Sequence, residues 1–250
     1  MKRADGNLVQ HYYPEIHAGG FSHVDSTVDF YTRINALLSP DMVVLDFGAG
    51  RGLAAEDPVP YRRRLRTLKG KVRKVIGADV DPAVRTNPLV DESIVIDPDA
   101  PLPIENATFD LIVTDWTMEH IADAPRLAGE LSRILKPGGW ICARTPNRWG
   151  YIALGARLVP ENLQAAVLRR LQPSRKECDV FPKFYRLNTR KDFLKLFHKD
   201  FEVYLYRTNS EPAYSGTSPL MWRAWAAFFR LTPGNFKAVL HVFLHKRPSS

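Results

Sequence analysis

The chain has 250 residues, 45% of them apolar and 25% charged, which fits one folded α/β domain and excludes a disordered or fibrous chain. No apolar run approaches the roughly 20 residues a spanning helix needs, and MKRADGNLVQHYYPEIHAGG lacks the apolar core of a signal peptide, so a cytoplasmic location is expected. The net charge of +8 is uneven, and the two cysteines, Cys142 and Cys178, read as free thiols, being too few for a disulfide framework and without neighbours at zinc-ligand spacing.

Taken in chain order, the first 40 residues form a helical cap, with Val28, Tyr31, Ile34, Leu37 and Leu38 on one stripe of a helix over 26–38. Met42 to Phe47 is a short apolar run closed by glycines, as expected of a buried parallel strand. Residues 61–74 carry eight cations and no acid, and Tyr61, Leu65, Leu68 and Val72 recur at near-helical spacing. The segment is read as an amphipathic helix whose basic face either attracts anions or is simply solvated. Further strands are expected at 75–78, 93–96, 109–114 and 140–144. Leu127, Leu131, Ile134 and Leu135 make a helical stripe between the last two, with Asp123 as N-cap and Lys136-Pro137-Gly138-Gly139 as the stop. Beyond Pro146 come mixed helix and loop over 147–200, in which Phe193, Leu196 and Phe197 pack on the sheet, and strands at 201–206 and 239–245. The intervening 220–231 is a helix apolar around most of its circumference. Strands alternating with helices imply a doubly wound, mostly parallel sheet. One domain is expected: cap 1–40, core 41–146, and substrate-side insertions 147–200 and 208–236.

Asp46-Phe47-Gly48-Ala49-Gly50-Arg51-Gly52 ends the first strand. Glycines at alternate positions allow a tight turn and close approach to a ligand, and a helix N-terminus offers free N–H groups. A dinucleotide fingerprint would need a glycine at position 53, which is Leu53. Asp79 closes the second strand, Asp97 and Asp99 follow the third, and Asp115 ends the fourth. Singly, such acids are commonly turn or cap residues; in a row along the carboxyl edge they fit the ligand-binding rim of an open α/β sheet.

The D-x-G-x-G-x-G turn resembles motif I of S-adenosylmethionine methyltransferases. With VIGADVDP, PLPIENATFDLIVTDWTMEHI and LKPGGWICARTPN, the run from Val43 to Pro146 is similar to the methyltransferase type 11 group of class I enzymes. The resemblance implies a seven-stranded Rossmann-like sheet with the last strand antiparallel, and S-adenosyl-L-methionine as cofactor. It also implies Asp46, Phe47, Gly48, Ala49, Gly50 and Gly52 at the methionine end, Asp79 and Val80 at the ribose, and Asp97 or Asp99 with Ala100 at the adenine. Pro98 stands where such enzymes place the adenine acid, and the following Ala100 favours Asp99. Asp115 and Trp116 would lie beside the cofactor toward the substrate.

Displacement at a sulfonium methyl needs positioning above all, and a base when the acceptor is a hydroxyl. His120 is the candidate base, with Glu119 and Asp115 as fallbacks; the alternative is that His120 caps or packs the next helix. Tyr13, His120, Tyr185 and Arg186 are substrate-side candidates, the last two within an aromatic segment that either forms a lid or packs a cover helix. Enzymes of this fold that methylate exocyclic amines carry Asn/Asp-Pro-Pro-Tyr/Phe after the fourth strand; here the place reads Asp115-Trp116-Thr117-Met118, which argues against that chemistry. The expected acceptor is a hydroxyl of a small molecule, sugar or lipid-linked compound. RNA methylation and a cofactor-fold binding protein without turnover are the alternatives. The 220–231 helix either packs in the fold, forms an oligomer contact, or lies in a membrane surface with Trp222, Trp225, Phe228 and Phe229 inward and Arg223 and Arg230 at the headgroups. No metal site is expected.

Overall fold

Seven short segments meet the requirements of strands, with apolar residues on both faces: β1 (Val43–Phe47), β2 (Lys74–Asp79), β3 (Glu92–Val95), β4 (Phe109–Asp115), β5 (Leu135–Pro146), β6 (Phe201–Thr208) and β7 (Val239–Lys246). In the computed structural model, which describes residues 9–151, 153, 183–211 and 219–248, they form one sheet in the order β3-β2-β1-β4-β5-β7-β6. Pairings from β3 through β5 are parallel, whereas β7 runs antiparallel to both β5 and β6. This is the doubly wound, mostly parallel sheet expected from the sequence. Cys178 and the Phe181-Pro182 start of the aromatic segment lie outside the described residues.

Alternation along the strands sorts two cores. Leu45 and Ile112 face a layer made by α3 (Ala124–Ile134) and α4 (Arg190–Phe197), through Leu127, Leu131, Phe193 and Phe197. Val44, Leu111 and Val113 face the other way, against Phe30, Tyr31 and Ile34 of α1 (Ser26–Leu37). Helices α1, α3 and α4 each start where a side chain can satisfy the first amides. Asp25 accepts from Thr27 and Val28 at 2.8 and 3.0 Å, Asp123 accepts from Arg126 at 3.1 Å, and Thr189 with Asp192 forms a capping box.

One expectation changes. The basic segment is helical only as α2 (Pro60–Arg66), and Leu68 and Val72 beyond it enter the core. Several of its cations face inward. Arg62 holds Asp57 with two hydrogen bonds of 2.7 and 2.8 Å and reaches Asp25 at 2.7 Å, while Lys71 donates to Asn35 and to the carbonyl of Arg64. They organise the protein around buried acids and carbonyls, which local spacing could not reveal. Helix α3 ends at Ile134, just before Lys136-Pro137-Gly138-Gly139; β5 begins at Leu135, and the register shift between Phe109 and Leu111 makes these four residues a bulge in which Pro137 and Gly138 are exposed, with Gly138 at φ +76°.

Burial would raise the Asp57 carboxyl, but the hydrogen bonds from Arg62 hold it below its ordinary range. Removing the cation strands a buried charge. Arg62→Ala is therefore expected to destabilise the fold by roughly 2–4 kcal/mol in urea unfolding, against less than about 0.5 kcal/mol for Arg64→Ala.

Candidate functional site

The carboxyl ends of β1, β2 and β4 converge on the glycine turn. Gly48 donates to the Ala78 carbonyl at 2.7 Å, and the Asn87 amide donates to the carbonyls of Ala49 and Gly50 at 3.1 and 3.2 Å. All three glycines have positive φ, but for different purposes. A Cβ on Gly48 would stand 2.1 Å from Thr117 Oγ1 and one on Gly52 would stand 2.3 Å from Asn87 Oδ1, so both are glycine because the protein closes on them. At Gly50, with φ +50°, nothing lies within 4 Å of that position. This is the opening on the rim, and the residues around it fit a small cationic nucleoside.

Asp79 sits across that opening. Its Oδ2 accepts from Gly50 N and its Oδ1 from Asp81 N, both at 2.8 Å. The carboxylate is thereby aimed, and each oxygen keeps a lone pair for a vicinal diol. Val80 next to it is exposed. Asp97 is occupied differently: its Oδ1 accepts from Asp99 N at 2.8 Å, capping its own turn, while the neighbouring Asp99 and Ala100 are exposed. Phe47 is in the core, and what it offers the site is its backbone, whose carbonyl accepts from Thr117 Oγ1 at 3.3 Å.

Asp46 faces the turn from beneath. Burial, then the charges of Asp115 and Asp79 against the opposing Arg66, push its carboxyl up to about 7. A positive ligand in the opening would favour its ionised form. Asp115 is not a loose acid beside the cofactor. Arg144, opposite it in register on β5, grips both oxygens at 2.7 and 2.8 Å, and Tyr31 donates to Oδ2 at 3.2 Å. A carboxylate so enclosed depends on its partner to offset the loss of water. Arg144 was not among the sequence candidates; a lone arginine at the end of an apolar strand was the available signal. Its guanidinium lies 5.4 Å from the Trp116 ring, and Trp116, at φ +58° and 40% exposed, stands at the mouth of the site. Such a backbone is costly for an aromatic residue and is held by the bond from Trp116 N to the Arg144 carbonyl at 2.8 Å.

A second group of polar residues lies beyond Trp116. Glu119 is 3% exposed, accepts from Thr145 Oγ1 at 3.1 Å, and stands 4.0 Å from His120 Nε2. Asn188 donates to the same Thr145 hydroxyl at 2.7 Å. Burial, against weaker help from the Thr145 hydrogen bond and the Lys183 charge, pushes the Glu119 carboxyl up to about 7. The Glu119 carbonyl accepts from Phe184 N and Tyr185 N, so the loop carrying Tyr185, at φ +53°, is tied to His120's neighbour. His120 and Tyr185 are thus brought together, with Arg186 exposed beside them. The Tyr13 ring meets His23 and Trp222 at 5.7 and 5.9 Å. Among the described residues no cluster of His, Cys, Asp or Glu could hold a metal ion.

Comparison with known proteins agrees with this geometry. The family model described as "Methyltransferase domain" matches residues 23–199. A "Probable S-adenosylmethionine-dependent methyltransferase" of Mycolicibacterium smegmatis is 34% identical over 110 residues, 42% of this chain and 38% of the relative. A demethylmenaquinone methyltransferase of Symbiobacterium thermophilum is 45% identical over 42 residues, 16% of this chain and 17% of the relative. The chain thus matches well under half the length of these curated relatives. Among solved structures, a SAM-dependent methyltransferase of Thermotoga maritima superposes with TM-score 0.54 at 16% identity, covering 99% of this chain and 100% of the other. A geranyl diphosphate C-methyltransferase of Streptomyces coelicolor A3(2), solved with S-adenosyl-L-homocysteine, gives TM-score 0.53 at 16% identity over 88% and 77% of the two chains. At that identity the likeness is one of fold. With the family match running from before α1 through α4, the chain belongs to the methyltransferase domain family, class I, whose cofactor is S-adenosylmethionine.

Proposed function

We propose that the chain transfers a methyl group from S-adenosylmethionine to a hydroxyl of a small molecule, sugar or lipid-linked acceptor. The observation that carries the reading is the Glu119–His120 pair at the end of β4, a buried carboxyl 4.0 Å from an imidazole nitrogen beside the Tyr185 turn. A hydroxyl must lose a proton as it attacks, and an imidazole beside a carboxyl pushed up to about 7 suits that task. S-adenosylmethionine, when bound, supplies a methyl group activated by the sulfonium charge. In this reading Gly50 leaves room for the methionine end, Asp79 orients the ribose, and Asp99 with Ala100 borders the adenine. Trp116 shields the mouth from water and Tyr185 with Arg186 frames the acceptor. His120 takes the acceptor proton, and the Glu119 carboxylate stabilises the imidazolium that results. RNA is less favoured as acceptor, because Arg62, Arg66, Lys69, Lys71 and Lys74 of the basic segment bind acids or carbonyls of the protein itself.

Three outcomes are expected. In calorimetry with S-adenosylmethionine, Asp79→Asn weakens binding by roughly 1.5–3 kcal/mol. Gly50→Ala weakens it too, while lowering fold stability by only about 1 kcal/mol for the left-handed backbone. An unchanged affinity in Asp79→Asn would mean that the ribose lies elsewhere. His120→Ala is expected to lower kcat by roughly 10²–10⁴ while leaving cofactor affinity within about twofold, measured as methyl incorporation into hydroxyl acceptors. Retention of full kcat would remove His120 from the chemistry.

The raised Glu119 carboxyl gives a pH dependence with a definite sign. Glu119 keeps its proton until about 7, so methyl transfer rises with pH through that region and Glu119→Gln removes the inflection. The folded state also holds a proton that the unfolded chain releases at the ordinary carboxyl value. Glu119 therefore makes the fold less stable as pH climbs from the ordinary range to about 7. Thermal melts of Glu119→Gln should show a flatter decline over that window.

A further inference from the structure

The last helix, α5 (Pro219–Leu231), is attached through one side to the other described residues. Trp222 is 2% exposed and stacks on Tyr12 at 5.1 Å, and the Tyr151 ring meets Trp225 and Phe229 at 5.3 and 5.1 Å. The tryptophans therefore hold the helix to the protein; they are not its outward face. Opposite them, Leu220, Ala224, Ala227 and Leu231 recur at i, i+4, i+7 and i+11 and share one stripe. Leu220 is 77% and Leu231 79% exposed. Phe228, also exposed, borders this stripe on one side, with Arg223 and Arg230 on the other.

The surroundings extend the pattern. The Asn147 amide donates to the carbonyls of Asn235 and Lys237, and Arg148 N donates to the Asn188 carbonyl. The turns at 147–150, 183–188 and 234–238 are thereby gathered beside α5 on the rim that carries the site. Trp149, Phe184 and Phe236 are exposed there. Residues 147–153, 183–189 and 219–238 contain Arg148, Lys183, Arg186, Arg223, Arg230 and Lys237 and not one Asp or Glu. No helix among the described residues is long and apolar enough to cross a membrane.

An apolar stripe flanked by arginines and ringed by exposed aromatics, in segments whose charges are all positive, matches the interface of an anionic bilayer: apolar side chains reach the acyl boundary while cations meet the phosphates. We infer that α5 and the adjoining turns form a docking surface for acidic phospholipid membranes, seating the rim with the catalytic site against the bilayer. The docking does not depend on which hydroxyl is methylated.

The test is co-sedimentation of the full chain with phosphatidylcholine vesicles with or without about 30 mol% phosphatidylglycerol. Binding is expected with phosphatidylglycerol, falling as salt is raised. Arg223→Ala/Arg230→Ala is expected to lower it roughly thirtyfold, taking about 1 kcal/mol for each cation. Leu220→Glu/Leu231→Glu is expected to lower it at least tenfold, with an unchanged circular dichroism spectrum. S-adenosylmethionine affinity, measured in parallel, reports separately on the site and should not move in either variant. Absence of binding to the anionic vesicles, or equal binding by both double variants, overturns the inference. So does a dimer that Leu220→Glu/Leu231→Glu converts to monomer, which would make the stripe a subunit contact. Displacement from vesicles by duplex RNA at lower concentration than by free phosphatidylglycerol headgroup would overturn it in favour of nucleic acid.

Discussion

One buried ion pair organises the centre of the molecule. Arg144 and Asp115 lie opposite each other in register on adjacent parallel strands, with side chains 3% and 9% exposed, and neither has water to fall back on. The two-pronged contact is joined by Thr27 Oγ1, which accepts from Arg144 at 2.7 Å, and by the Tyr31 hydroxyl. The pair therefore fixes three things at once: the alignment of β4 with β5, the seating of the α1 N-terminus, and the backbone of Trp116. In energy such a pair roughly offsets its own desolvation; its value is that no shifted register satisfies both charges. The same burial explains Tyr31, whose hydroxyl is held well above its ordinary range by burial and then by the Asp115 charge, and so remains a donor.

That pair also shows where reading along the chain stops. Strand positions, the Asp123 cap and the helix over 26–37 were legible because each rests on local periodicity or on a side chain bonding its own next turn. Asp115 was visible as an acid at a strand end, but its role depends on Arg144, 29 residues later and adjacent only in the sheet. The basic segment failed for the same reason. Its spacing continues past Arg66, yet Asp57 and Asp25 draw Arg62 inward and Leu68 and Val72 turn into the core. Motif I was found by its glycines, while the reason for Gly48 and Gly52 lay in Thr117 and Asn87, which no spacing rule connects to them.

The acceptor side of the site depends on β5 as much as on β4. Thr145 receives the Asn188 amide and donates to Glu119, so a strand hydroxyl relays position from the segment before α4 to the acid beside His120. The Glu119 carbonyl in turn holds the Phe184 and Tyr185 amides. One residue thus serves the loop with its backbone and the imidazole with its side chain. A shift of the Tyr185 loop would move Glu119 relative to His120, because the Glu119 carbonyl holds that loop.

The electrostatics of the rim follow from this arrangement. Inside lie Asp46, Asp79 and Glu119, and a buried Asp115 already neutralised by Arg144. Outside, residues 147–153, 183–189 and 219–238 carry cations and no acids. A methyl donor bearing sulfonium and ammonium charges is drawn to the inner acids, and its arrival favours the ionised form of Asp46. The outer collar repels the same donor and attracts anionic surfaces. A single edge of one sheet thereby separates the two attractions by sign, so that a cationic cofactor and an anionic surface approach the same rim without competing for the same residues.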